Sequence, residues 1–167
     1  MPTIHEGGCL CRDVRYKTTA EPIQTLVCHC TFCQKLTGSA FLVEPIFKRD
    51  AVVFSGSATR TYNHRSDGSA MRVTLNFCGT CSTTLYLELE RFPHVLGICG
   101  GTFDDPSWFD RGAEKCRHIF TRSAQRGVVL PAGLQTFTEH ALRLDGTLNE
   151  PIVLVHPRTV DRPTDRA

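Results

Sequence analysis

The sequence predicts an all-β fold with little helix, built around two metal–thiolate clusters. Short segments rich in β-branched and aromatic residues recur at intervals of roughly ten residues, with turn formers between them. Helical periodicity is weak along the whole chain. Seven of the nine cysteines fall into three closely spaced groups. With 167 residues, 41% of them hydrophobic and 22% charged, the chain has the size and composition of one folded globular domain. A chain of that length buries roughly 70% of its unfolded surface. No apolar run approaches the ~18 to 20 residues of a membrane helix. The net charge of +2 is too balanced to point to a nucleic-acid or membrane-surface protein.

In chain order, Val14-Arg15-Tyr16-Lys17 alternates apolar and polar residues, as a half-buried strand does. Residues 25–28, 40–43, 52–54 and 59–62 read as further short strands. Residues 72–77 and 83–87 flank the turn at 78–81, so that turn is expected to cap a hairpin. Residues 94–98 and 117–121 complete the strands, and 32–36 form one helical turn. From residue 156 the sequence becomes polar and proline-containing. Residues 1–155 are therefore expected to form a single domain and 156–167 a mobile C-terminal tail.

The cysteine spacing carries the chemistry. Cys9 and Cys11 form C-x-C, Cys28, Cys30 and Cys33 form C-x-C-x-x-C, and Cys78 and Cys81 form C-x-x-C. A C-x-x-C turn aims both sulfurs at one ion, and a C-x-C in an extended strand puts both on one face. Residues 1–8 show no basic patch followed by an apolar stretch, so the chain is expected in the reducing cytoplasm, where thiols persist and bind metal. Structural zinc takes four ligands, and catalytic zinc takes three with one position open. The division that keeps every group intact joins Cys9, Cys11, Cys78 and Cys81 as a structural staple. Cys28, Cys30 and Cys33 remain as a second site, local to six consecutive residues and suited to a visiting ligand. A fourth donor from Cys99, Cys116 or a histidine would instead close that second site.

Gly7-Gly8-Cys9-Leu10-Cys11, Cys28-His29-Cys30-Thr31-Phe32-Cys33-Gln34 with Gly38-Ser39-Ala40-Phe41, Phe77-Cys78-Gly79-Thr80-Cys81 and Gly101-Thr102-Phe103-Asp104-Asp105-Pro106 occur in that order. In these motifs the sequence resembles the glutathione-dependent formaldehyde-activating enzyme family, which also includes centromere protein V. The resemblance implies a β-tent of stacked antiparallel sheets, two Zn²⁺ per chain on the cysteine sets named above, and catalysis at Cys28, Cys30 and Cys33. It also implies a carbon–sulfur lyase that joins glutathione and formaldehyde into S-(hydroxymethyl)glutathione. Glutathione or another small thiol is the expected partner, with no nucleic acid and no membrane; a homodimer is compatible with the reading. Two departures stand out. Ser82 follows Cys81 where the family commonly has glycine nearby, and Ala124-Gln125-Arg126-Gly127 stands where a tryptophan is usual.

The candidate substrate contacts are Ser39, as a donor to an oxyanion, and Asp104, as a partner for the glutathione amine. The plainer roles weighed against them are strand entry for Ser39 and a turn before Pro106 for Asp104 and Asp105. Lys35, Arg117 and Arg122 are weighed as carboxylate partners against simple solvation. His29 is expected to turn away from the metal and to pack behind it. Two further classes stay open. One is a zinc-stabilised partner-binding module without catalysis. The other is a redox enzyme resembling methionine sulfoxide reductases, which requires Cys99 or Cys116 to be exposed with a depressed pKa.

Overall fold

The computed structural model describes residues 2–161 and is mostly β-strand with one α-helix, so the expected all-β class holds. The chain forms two compact units. The first runs through Ile23 and resumes over Glu44–Phe109. In it, β1 (His5–Gly8), β2 (Val14–Thr18) and β5 (Val52–Gly56) form an antiparallel sheet in the order β1-β2-β5. The alternation read from the sequence is realised in β2, where Val14, Tyr16 and Thr18 are buried and Arg15 and Lys17 are not. The same unit holds the antiparallel run β4 (Leu42–Lys48, here from Glu44), β9 (Val95–Ile98), β8 (Thr84–Leu89), β7 (Arg72–Phe77) and β6 (Arg60–Arg65).

The core of this unit rests on Phe47, Leu85, Leu96 and Ile98, each at most 1% exposed. Full burial of such a side chain contributes about 1.5–3 kcal/mol. Tyr16 meets Phe103 edge-on at 5.1 Å, and its hydroxyl bonds Thr102 at 2.8 Å, which settles the one polar atom that this ring brings inside. As expected, β7 and β8 form a hairpin capped by the turn at 78–81. The pairing slips at Asn76/Phe77, a bulge that re-aims the strand end just before Cys78.

The second unit comprises Gln24–Val43 and the described chain from Asp110. Here β10 (Cys116–Ile119) lies parallel to β3 (Gln24–Cys28) and to β12 (Gln135–Thr136), with β13 (Ile152–Val153) antiparallel to β12. The expected antiparallel stacking is thus corrected in this unit. β3 is buried from Thr25 through Cys28, the continuous burial that a parallel strand takes on. The expected helical turn is α1 (Thr31–Thr37), closed by Gly38 at φ +62°, a left-handed position that glycine fills without strain.

The expected tail is corrected as far as residue 161. β14 (Arg158–Thr159) pairs with β11 (Val129–Leu130), and Val160 packs against Ala124 and Leu130. The rest of that segment, 162–167, lies outside the described residues. Among the described residues no helix is long and apolar enough to cross a membrane.

Candidate metal centres

In the first unit Cys9, Cys11, Cys78 and Cys81 converge, as their spacing predicted. Cys9 and Cys11 stand in the turn between β1 and β2, and Cys78 and Cys81 in the turn between β7 and β8. Each turn closes on a backbone hydrogen bond. Arg12 N–H donates to the Cys9 carbonyl and Ser82 N–H to the Cys78 carbonyl, both at 3.0 Å. Arg12 and Ser82 each occupy the left-handed region, at φ +64° and +59°. Close approach explains the two glycines ahead of Cys9. A Cβ on Gly7 would fall 2.3 Å from the Tyr16 hydroxyl, and one on Gly8 2.4 Å from the Val14 carbonyl oxygen.

The sulfurs fit one tetrahedral ion. At the ~2.3 Å bond length of a zinc thiolate, tetrahedral geometry places sulfurs about 3.8 Å apart. Cys9 and Cys11 Sγ are 3.5 Å apart, Cys11 and Cys78 Sγ are 3.6 Å apart, and all four lie within 4.8 Å of one another. Hydrogen bonds steady them from behind. Val14 N–H donates to Cys9 Sγ at 3.2 Å and Thr80 N–H to Cys78 Sγ at 3.4 Å. The Thr83 hydroxyl accepts from Leu10 N–H at 3.2 Å and stands 3.2 Å from Cys81 Sγ, so one side chain links both loops. That hydroxyl, with the Thr83 backbone N–H, draws the Cys81 thiol down to about 5, toward the thiolate that a metal needs.

The second cluster lies wholly in the second unit. Cys28 ends β3, Cys30 is the N-cap of α1 and Cys33 sits in its first turn. Cys30 Sγ accepts from Cys33 N–H at 3.3 Å, so the ligand also serves as helix cap. The three sulfurs lie within 4.8 Å of one another, and among the described residues no fourth His, Cys, Asp or Glu donor joins them. The fourth-ligand alternative therefore finds no donor, Cys99 and Cys116 included. Cys28 and Cys33 are buried, and this crowding has an electrostatic consequence. Hydrogen bonds from Cys28 and then Cys33 hold Cys30 down at about 3, while the Cys28 thiol is pushed well up by its bond with Cys30, and the Cys33 thiol by its bonds with Cys28 and then Cys30. Three thiols so placed retain one negative charge among them; a dication lets all three ionise. The donor set fits a soft or borderline metal such as zinc.

His29 lies between two of these ligands and is completely buried. Its ring turns to His118 on β10, with Nε2 3.1 Å from His118 Nδ1, and meets the Phe41 ring at 5.4 Å. Burial first, and His118 second, hold it down to about 4, so it is a neutral imidazole behind the cluster. That is the packing role expected for it. His118 is a partner that sequence reasoning did not link to the site, because 89 residues separate the pair. Gln34 was also missed as a structural element of the loop; its only sequence signal is its place directly after the third cysteine.

Ser39 is exposed just past α1, and its N–H donates to Thr37 Oγ1 at 3.2 Å. Asp104, in the first unit, is engaged by the Arg15 guanidinium, which holds its carboxyl below the usual range. Asp105 accepts from Ser107 N–H at 2.9 Å, the turn role weighed for it. Lys35 is exposed, Arg117 donates to Gln24 Oε1 at 3.2 Å and Arg122 pairs with Glu139 at 2.6 Å. Cys99 and Cys116 are both buried, and burial pushes both thiols up, Cys116 to about 11. A redox enzyme needs the opposite of both properties.

Three comparisons place these features among known proteins. The model of the family described as glutathione-dependent formaldehyde-activating enzyme matches residues 4–123. A Halomonas elongata protein named for glutathione-dependent formaldehyde activation is 27% identical over 94 residues, covering 54% of this chain and 60% of that protein. The chain thus matches less than two thirds of that relative's length. A solved structure of a Rhodobacter sphaeroides protein aligns with 59% of this chain and 87% of its own, at 15% identity and a TM-score of 0.47.

Proposed function

The chain belongs to the glutathione-dependent formaldehyde-activating enzyme family, and from that premise we propose that it is a zinc-dependent carbon–sulfur lyase. Its reaction joins glutathione and formaldehyde into S-(hydroxymethyl)glutathione, and its reverse releases them. Cys28, Cys30 and Cys33 form the reaction centre; Cys9, Cys11, Cys78 and Cys81 hold a structural zinc. The observation that supports this reading best is the convergence of three sulfurs with no fourth donor among the described residues.

A zinc ion held by three thiolates supplies a soft acceptor on which a small thiol is kept deprotonated near neutral pH. The chain's own groups do the rest. The buried sulfurs of Cys28 and Cys33, backed by the neutral His29–His118 pair, keep the base of the cluster dry. Half-exposed Cys30 gives it an open side. The glutathione sulfur attacks the formaldehyde carbon, a C–S bond forms as the C=O π bond opens, and the thiol proton ends on the new hydroxyl. Ser39, exposed past the end of the helix that carries Cys33, is the proposed donor to that oxygen. A reducing cytoplasm suits the nine free thiols.

The test is Cys30→Ser in the full chain, with zinc stoichiometry measured beside the rate of adduct formation above the spontaneous rate. Loss of one zinc together with the catalysed rate is expected. Full turnover with only the four-cysteine zinc retained would reject the reading.

A further inference from the structure

A site with only three protein ligands depends more than a closed one on whatever orients its loop, and here one side chain spans that loop. Gln34 directly follows Cys33 in α1. Its Nε2 donates to the His29 carbonyl at 2.6 Å and to the Ser123 carbonyl at 2.8 Å, which uses both amide hydrogens. Its Oε1 accepts from Gln125 Nε2 at 2.9 Å. Two carbonyls on one side and a donor on the other allow a single orientation of this amide.

The residue so held is the hinge of the cluster. His29 separates Cys28 from Cys30; its N–H donates to the Ile119 carbonyl at 3.0 Å, and its ring is tied to His118. With the His29 carbonyl fixed as well, the peptides on both sides of it cannot rotate. Rotation there would swing the Cys30 sulfur away from the Cys28 sulfur, each being one residue from the pivot. The Ser123 carbonyl anchors the same amide to the short 3₁₀ turn Thr121–Ser123 that follows β10.

We propose that Gln34 is the positioning residue of the three-cysteine centre, orienting its loop so that the sulfurs converge before a metal arrives, and that Gln125 locks the Gln34 amide. This rests on the metal-binding half of the reading above and is independent of the substrate. Gln125 lies just past the end of the family match at residue 123.

The experiment is zinc competition against a chelator, with stoichiometry, on the full-length protein and on Q34M, Q34E, Q34R and Q125L. Q34M and Q34E are expected to weaken one of the two zinc ions by about 10- to 100-fold and to leave the other unchanged, as loss of an outer-shell partner does. Q34R, which can still donate two N–H groups to the two carbonyls, is expected to recover most of the affinity. Q125L, altering an exposed residue, gives a smaller loss at the same zinc and remains informative if a Gln34 variant does not fold. Wild-type affinity in Q34M, equal weakening of both ions, or an unaltered Q125L overturns the assignment. Selective weakening without any catalysed thiol reaction upholds the assignment and rejects the lyase.

Discussion

The two cysteine clusters invert a common expectation about burial and function. In the four-sulfur cluster Cys11 is exposed and Cys81 half-exposed, yet its four donors are the number that a tetrahedral site takes. In the three-sulfur cluster two of the three sulfurs are buried, yet the donor set is one short. Exposure of the sulfurs and completeness of the donor set are therefore separate properties. The clusters differ in reach as well. Cys11 and Cys78 meet across 67 positions, so the first cluster holds two distant hairpin turns together, at a closure cost that grows only slowly with length. The second spans six residues and organises only the end of β3 and the start of α1.

This contrast predicts unequal responses to loss of a thiol. Cys78→Ala should remove several kcal/mol of stability, because the binding energy of a structural metal is folding energy. Thermal unfolding followed by circular dichroism would show it as a large fall in Tm. Cys33→Ala, at the other cluster, should abolish one zinc and lower Tm less, the loss being about 1 kcal/mol from a small cavity together with the binding energy of a zinc held by one protein ligand fewer. Equal losses in the two variants would erase the distinction between the long-range staple and the proposed reaction centre.

The two isolated cysteines give an intermediate effect. Cys116 is a buried thiol whose pKa is raised to about 11. The unfolded chain therefore loses this proton first as pH rises. The stability due to the protonated thiol is full below about pH 9 and is lost as pH climbs through about pH 11. Denaturant midpoints across that window should fall. In the zinc-loaded native protein, Cys99 and Cys116 should resist iodoacetamide at pH 8; rapid labelling would revive a redox role.

The smallest expected effect lies at Ser82, directly after the turn at 78–81. Ser82 takes a left-handed φ of +59°, a conformation that costs a non-glycine residue about 1 kcal/mol or somewhat more. Ser82→Gly should raise stability by up to about 1 kcal/mol, the relief being offset in part by the freer unfolded chain. A lowered Tm would contradict the assignment of strain there.

Much of this was legible because it is local. Cysteine spacing identified both clusters, and period-two alternation identified β2. The hairpin around the turn at 78–81 followed from two flanking β-rich runs. What escaped was non-local. The parallel pairing of β10 with β3 depends on a contact between residues 116–119 and 25–28 that no single-segment pattern encodes. The tail was misjudged for a related reason: Pro157-Arg158-Thr159-Val160 looks polar and open, but two residues pair with β11 and Val160 finds an apolar niche. Gln34 lay in plain view within the cysteine motif. Its partners at Ser123 and Gln125 are about 90 residues away, and only the fold brings them near.

The most direct test of the open centre is X-ray absorption at the zinc edge of the fully loaded protein, before and after addition of glutathione. The mean sulfur coordination should start between the values for three and four sulfurs per zinc and rise when the added thiol takes the remaining position. A value that begins at four sulfurs per zinc, or that glutathione leaves unchanged, would contradict the claim that the three-cysteine centre accepts a thiol.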